Sequence, residues 1–407
     1  MIGQHNSKTV YEILGRNSVH PFPARMAPGI ALDVVADCQR PLRILDPMSG
    51  SGTVLAIAQA RGHHAIGIDT DPLAVLISRV WTTAVSPAVL MGEAAAVLER
   101  ARRAFAHLRT RDAYPRNSDE ETRRFVRFWF DDYVRRQLRA LADSIADVDD
   151  KKIRNALWCA FSRLIITKQS GASLAMDLSH SRPHKVFSRA PLKPFSKFMF
   201  AAGRVADGCS DDKSRGSTPP AQVHEGDARM IPLEDGSVDL ILTSPPYLNA
   251  IDYLRCSKFS LIWMGYTVKE IRRIRSTSIG TLVGKYGDAY AQDIMSRIHL
   301  QPALRPSQEM VLARYVDDMR RVICEIARVL VDGGKATYVI GENTVHGTFI
   351  PNSRIVEEVA SDIGLRCEDR RSRELPTNRR YLPPPSGQAT ALDGRMRREV
   401  MLTLAKA

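Results

Sequence analysis

Four consecutive residues, Ser244-Pro245-Pro246-Tyr247, carry the strongest chemical signal in this chain. They follow the apolar run Val238-Asp239-Leu240-Ile241-Leu242-Thr243, which reads as a strand, so the tetrapeptide forms a turn at a strand end. Two successive prolines fix φ and lack N–H donors, and such a turn holds its carbonyls rigidly outward. Outward acceptors suit the exocyclic amine of cytosine or adenine, a poor nucleophile because its lone pair is delocalised into the ring. Ser244 Oγ and the Pro245 carbonyl would hold the amine hydrogens out of plane and aim the restored lone pair at an electrophilic methyl group. Tyr247 would stack on the extruded base. A proline-stiffened loop without chemistry is the plainer alternative.

A second constellation lies in the first hundred residues. Asp46-Pro47-Met48-Ser49-Gly50-Ser51-Gly52-Thr53 follows the short apolar run Arg43-Ile44-Leu45 and opens a helix expected from about Thr53 to Gln59, capped by Thr53 or Ser51. The glycines would let a ligand approach the backbone where the helix start offers free N–H groups. A third glycine of the dinucleotide fingerprint and a Gly-Lys-Ser/Thr are both missing, so a ligand without phosphates fits better. Asp69 ends the next strand, His64-Ala65-Ile66-Gly67-Ile68, where a carboxylate can accept hydrogen bonds from ribose hydroxyls. Asp71-Pro72 caps and starts the following helix. Asp227 ends a third strand and could accept from an adenine amine. The three strand ends together point to an adenosine-containing ligand; tight turns and caps would use the same residues.

The elements that position these residues alternate in α/β fashion. Strands are expected at 43–46, 64–69, 223–227, 238–243, 335–340, 365–374 and 400–404, with a helix from Arg314 to Leu330, stopped by Asp332-Gly333-Gly334, and another from Ile355 to Ile363. The last strand follows its predecessor without a helix and is therefore expected to run antiparallel. Residues 85–220 are Arg- and Ala-rich with helical spacing and end in a turn-rich linker, and residues 250–310 form a second insertion.

At this point the chain resembles the DNA amino-methyltransferases, whose Gly-rich cofactor turn and Asp/Asn/Ser-Pro-Pro-aromatic turn match residues 46–53 and 244–247. The resemblance covers roughly 1–84 and 221–407 and implies a Rossmann-like seven-stranded methyltransferase sheet, mostly parallel with the last strand antiparallel; the largely helical basic insertion at 85–220, read from its composition and spacing, is unmatched by it and is a candidate target-recognition region. It also implies S-adenosylmethionine as cofactor. Cofactor contacts would come from His20, Pro21 and Phe22, in a segment His20-Pro21-Phe22-Pro23-Ala24-Arg25-Met26 that closes over the methionine end, and from Asp46, Met48, Gly50, Gly52, Thr53, Asp69, Asp227 and Ala228. Ser244, Pro245, Pro246 and Tyr247 would be catalytic. Serine in the first position is similar to the cytosine-N4 members; adenine N6 is the alternative, followed by an RNA or protein amine, and an inert DNA-binding regulator is the non-enzyme alternative. Cytosine-C5 chemistry is disfavoured, since none of the six cysteines follows a proline. The connection between Asp69 and Asp227 departs from the short one usual in the family.

Charge agrees with a polyanionic partner. The 407 residues carry a net charge of +13, and residues 99–216 hold 25 Lys and Arg against 15 Asp and Glu, so most of the excess sits in the insertion. Expected contacts to double-stranded DNA are Arg182, His184 and Lys185 in a basic loop, Lys269, Arg272, Arg273 and Arg275 on a helix, and Arg379 and Arg380 near the last strand. Phe125, Phe128, Trp129 and Tyr133 have helical spacing and are expected in the core. The cysteines are scattered as free thiols, no metal is expected, and no apolar run is long enough to span a bilayer. The N-terminus lacks the pattern of a secretory signal, which points to the cytoplasm. A cognate restriction enzyme is a candidate partner.

Overall fold

The computed structural model describes residues 8–22, 25–36, 38–168, 170–176, 178, 183–209, 219–246, 248, 253–280, 289–345, 347–375 and 398–407. The sequence expectations for Tyr247, Arg182, Arg379 and Arg380 fall outside these residues.

The strands form where the apolar runs place them, with exceptions at the third and fifth. They are β1 (Arg43–Asp46), β2 (His64–Asp69), β3 (Gln222–Glu225), β4 (Val238–Thr243), β5 (Leu330–Gly341), the hairpin β6 (Asn343–Val345) and β7 (Thr348–Ile350), then β8 (Leu365–Glu374) and β9 (Arg398–Lys406). β3 stops at Glu225, so that Asp227 lies in the turn beyond it and does not end the strand, and β5 starts at Leu330. Seven of them make one sheet in the order β3-β2-β1-β4-β5-β9-β8, and the hairpin stands apart. β1, β2, β3, β4 and β5 pair in parallel, whereas β9 runs antiparallel to both β5 and β8. This is the seven-stranded, mostly parallel Rossmann-like sheet that the resemblance implies. The chain leaves β1 towards β2 and β3 on one side and returns as β4 on the other, so the carboxyl ends of β1 and β4 meet at the topological switch point.

The helices around the switch point follow from local sequence, with two corrections. The helix Thr53–Ala60 has Gly52 as its N-cap at φ +78° with no side-chain cap, and neither Ser51 nor Thr53 caps it. Packing decides this: a Cβ at Gly52 would lie 2.8 Å from Ser78 Oγ and 3.0 Å from Ser78 Cα. The helix Pro306–Val329 starts earlier than Arg314, and Asp332-Gly333-Gly334 is not its stop but part of β5, where the pairing with β4 shifts register. The helix Pro72–Thr82 forms as its sequence says, with Asp71 accepting from the Leu73 N–H at 2.9 Å.

The inserted residues are helical as expected: Pro87–His107, Glu120–Trp129, Asp132–Ala146, Lys151–Ile165 and Pro194–Ala206. They do not form a core of their own. One continuous cluster joins Val19 and Phe22, the helix Pro72–Thr82, the insertion, and residues Leu254 to Ile271 of the second insertion. The junction is aromatic: Phe125, Trp129 and Phe130 surround Phe259 with ring centroids 5.0–6.2 Å apart. Phe125 and Trp129 thus pack where helical spacing put them, while Phe128 and Tyr133 are exposed, at 53% and 48%. No helix among the described residues is long and apolar enough to cross a membrane.

Candidate active site at the switch point

The turn after β1 is held from below and from both sides. Asp46 is buried at the end of β1, and its Oδ1 accepts from the Met48 N–H (3.2 Å) and from Thr243 Oγ1 (2.8 Å). Thr243 is the last residue of β4 and precedes Ser244, so one buried hydrogen bond fastens the glycine-rich turn to the Ser-Pro-Pro turn. Gly50, at φ +50°, donates its N–H to Asp69 Oδ2 at 2.8 Å, and Asp69 Oδ1 accepts from the Asp71 N–H at 2.9 Å. The Thr70 N–H is a third backbone donor to this carboxylate, which still has room for a further one, since an ionised carboxylate offers about four acceptor sites in total. Met48, Gly50 and Gly52 therefore lie in a turn held by Asp46 and Asp69, and Thr53 opens the helix that follows it.

Burial dominates the electrostatics here. Desolvation raises Asp46 to about 7, against the hydrogen bonds from Thr243 and Met48, with the Asp69 charge adding to the rise. Desolvation likewise raises Asp71 to about 7, against a 2.6 Å hydrogen bond from Ser257 Oγ, and raises Asp69. A carboxyl whose folded pKa lies above its unfolded value contributes stability that is complete below the unfolded pKa and is lost as pH rises through the folded one. The unliganded protein is therefore expected to lose thermal stability from about pH 4 to about pH 7 through Asp46 and Asp71, and then to level off. Scanning calorimetry across that range checks this; a melting temperature that climbs steadily from pH 5 to 7 would contradict it.

The lead-in segment reaches the same turn. Phe22 lies over Gly50, whose Cβ, if present, would stand 3.8 Å from the Phe22 ring, and Phe22 stacks on Tyr253 at 5.9 Å. His20, 1% exposed, places Nε2 3.0 Å from Ser162 Oγ and leaves Nδ1 without a hydrogen-bond partner. Burial, with Arg163 and Arg25 nearby, holds His20 well below its usual pKa, so it is neutral. Ser49 Oγ in the glycine-rich turn is also buried and unpartnered. Pro23 and Ala24 lie outside the described residues.

Asp227 follows β3 and is more engaged than its sequence suggested. Arg229 grips both its oxygens (2.6–3.1 Å) and continues to Asp318 at 2.5 Å. Burial would raise Asp227, but the bonds and charge of Arg229 outweigh it and hold the carboxyl below its usual range. Nothing in the spacing foretold Arg229, since a lone arginine two residues past an aspartate is common. Ala228 is buried beside it.

Ser244 and Pro246 are half-buried and Pro245 is buried, directly beyond Thr243. The next described residue, Leu248, has its carbonyl bound by Asn343 Nδ2 at 2.7 Å, and Asn352 in turn bonds Asn343 Oδ1 at 2.7 Å. These asparagines, which no local pattern singles out, tie the segment just after the Ser-Pro-Pro turn to β6 and, through Asn352 Nδ2 on the Gly341 carbonyl at 2.9 Å, to the end of β5.

The basic candidates form a separate group. Lys269, Arg272, Arg273 and Arg275 are exposed on the helix Val268–Thr277, and Arg272 pairs with Glu121 of the insertion. His184 and Lys185 are exposed, with Lys185 Nζ 4.9 Å from the Phe128 ring. Part of the insertion's charge is internal: Arg135 and Arg136 bind Asp132 and the carbonyls of Thr110, Leu108 and Phe105. Among the described residues no group of three metal-ligating side chains comes together.

No protein-family model matches the chain. A type II methyltransferase, M.MvaI of Kocuria varians, is 22% identical over 364 residues, covering 84% of this chain and 80% of its own. A second, M.BsoBI of Geobacillus stearothermophilus, is 21% identical over 165 residues, 33% of this chain and 32% of its own. Among solved structures, a TehB-like S-adenosylmethionine-dependent methyltransferase from Corynebacterium glutamicum aligns over 93% of this chain and 86% of its own, at 11% identity and a TM-score of 0.30. Along most of its length, then, the chain is similar to one type II methyltransferase, and along a third of it to a second.

Proposed function

We propose that the protein transfers the methyl group of S-adenosylmethionine to the N4 amine of a cytosine flipped out of double-stranded DNA. The observation that carries this reading is the hydrogen bond between Thr243 and Asp46, which sets an amine-accepting Ser-Pro-Pro turn beside a glycine-rich, carboxylate-lined turn at one switch point. The residues fit the cofactor: Asp46 and Asp69 suit a ligand carrying positive charge, and the buried, unpartnered Ser49 Oγ offers a further polar contact. When bound, the cofactor supplies an electrophilic methyl on a sulfonium centre.

The chain's own groups do the rest. Asp69 accepts from the ribose hydroxyls; Asp227, kept ionised by Arg229, and Ala228 flank the adenine; His20, Pro21 and Phe22 cover the methionine end. Ser244 Oγ and the Pro245 carbonyl accept the two amine hydrogens, Pro246 stiffens the turn and Tyr247 stacks on the base. A serine hydroxyl is too weak a base to deprotonate a neutral amine, so attack comes first and the acidic methylated amine then gives its proton to solvent water. The type II methyltransferase names of the relatives, with the basic helix Val268–Thr277, support DNA as the substrate. Protein incubated with radiolabelled cofactor and duplex DNA should label the DNA; label found only on RNA or protein would contradict the reading.

Lys269, Arg272, Arg273 and Arg275, with His184 and Lys185, serve as phosphate contacts in this reading. Replacing Arg272 and Arg273 together with alanine should weaken DNA binding and lower the slope of log K against log salt by about one unit per lost contact. Cofactor affinity should stay unchanged. A salt series with an unaltered slope would move the DNA contacts elsewhere.

A further inference from the structure

The helix Tyr253–Leu261, which follows the Ser-Pro-Pro turn, carries Tyr253, Ser257 and Ser260 at spacings of four and three residues, hence on one face. Each meets a different part of the cofactor side. Tyr253 stacks on Phe22, and Ser257 Oγ donates to Asp71 at 2.6 Å, whose N–H donates to Asp69. Ser260 Oγ lies 2.9 Å from Ser162 Oγ, which lies 3.0 Å from His20 Nε2. Ser162 and Ser260 are 0% exposed. Ser162 belongs to the inserted helix Lys151–Ile165, and its neighbour Arg163 donates to the Val19 carbonyl at 3.0 Å, so the insertion grips the lead-in at two successive residues.

We propose that Ser162 and Ser260 are positioning residues for the cofactor: a hydroxyl from the insertion and one from the amine-side helix together set His20, and through it the Phe22 segment over the glycine-rich turn. The inference rests on reading that turn as the S-adenosylmethionine site. A hydroxyl has one proton and two acceptor sites, so Ser162 can satisfy both neighbours at once, and no water competes where nothing is exposed. Remove either hydroxyl and the Ser260–Ser162–His20 chain that orients the imidazole at Nε2 is broken. The long connection between β2 and β3 thereby gains a role inside the active site, because it supplies the middle member of the chain that joins cofactor side to amine side.

The test is a double-mutant cycle on cofactor binding. Ser162→Ala and Ser260→Ala should each weaken S-adenosylmethionine binding by about five- to tenfold in calorimetry, and raise the KM for cofactor by a similar factor, with kcat at saturating cofactor changed less than about twofold. The double variant should be little worse than either single one, because both act through His20. His20→Gln, which keeps a nitrogen donor near the Nε2 position, should bind cofactor better than His20→Ala. Variants that melt earlier yet bind cofactor like wild type would show a purely structural role, as would strictly additive losses. Should Ser162→Ala fail to fold, Ser260→Ala and the His20 pair decide alone. Wild-type protein that takes no cofactor would overturn the site reading and this inference together; wild type that binds, with both serine variants unaltered, would overturn this inference only.

Discussion

Ser244→Ala should slow single-turnover methyl transfer by about tens to hundreds of fold, while affinities for cofactor and DNA stay close to wild type. The expected cost, on the order of 2–3 kcal/mol, is that of one lost hydrogen bond to a group that develops charge in the transition state. Backbone geometry should survive the change, because the turn is held by Pro245, Pro246, the Thr243 bond to Asp46 and the Asn343 bond to Leu248, none of which involves the Ser244 hydroxyl. The loss should therefore appear in kcat. Tyr247→Ala differs in kind, since removing a stacking surface should also weaken base capture, read by a fluorescent base analogue at the target position. A Ser244→Ala enzyme with full single-turnover activity would show that the chemistry happens elsewhere.

Asp69→Ala should weaken cofactor binding by about tenfold or more, at about 1.5–3 kcal/mol for charge-assisted hydrogen bonds to the ribose. It should also loosen the turn, because the same carboxylate accepts the N–H groups of Gly50 and Asp71. Asp69→Asn separates the two effects: its single carbonyl oxygen can keep one backbone bond, so the unliganded protein should melt nearer to wild type while affinity remains low. Isothermal calorimetry showing wild-type affinity in either variant would remove Asp69 from the cofactor site.

The positions of Asp46, Asp69, Asp71 and Ser244 were legible because each ends a short apolar run or begins a helix, and those runs can be read locally. The resemblance to the DNA amino-methyltransferases, drawn from the two turns, agrees with the sheet order and with the type II relatives. What spacing could not show was long-range pairing. Arg229 on Asp227, Thr243 on Asp46, Asn343 on Leu248 and Ser162 on His20 are contacts whose need appears only when separate segments are brought together. The Gly52 cap was misread for the same reason, since helix capping is a local rule and the Ser78 contact that overrides it comes from the next helix. The insertion was legible as helices but not as part of the site. Its core continues that of the lead-in and of the helix Tyr253–Leu261, and no periodicity within 85–220 could report this.

Digesting DNA treated with the purified protein and S-adenosylmethionine to nucleosides, and identifying the modified one by mass spectrometry, decides both the substrate and the target base. The expected product is N4-methyl-deoxycytidine, dependent on S-adenosylmethionine and formed about tens to hundreds of fold more slowly by the Ser244→Ala variant. N6-methyladenine as the sole product would contradict the cytosine assignment, and unmodified DNA with active, cofactor-bound protein would contradict DNA methylation itself.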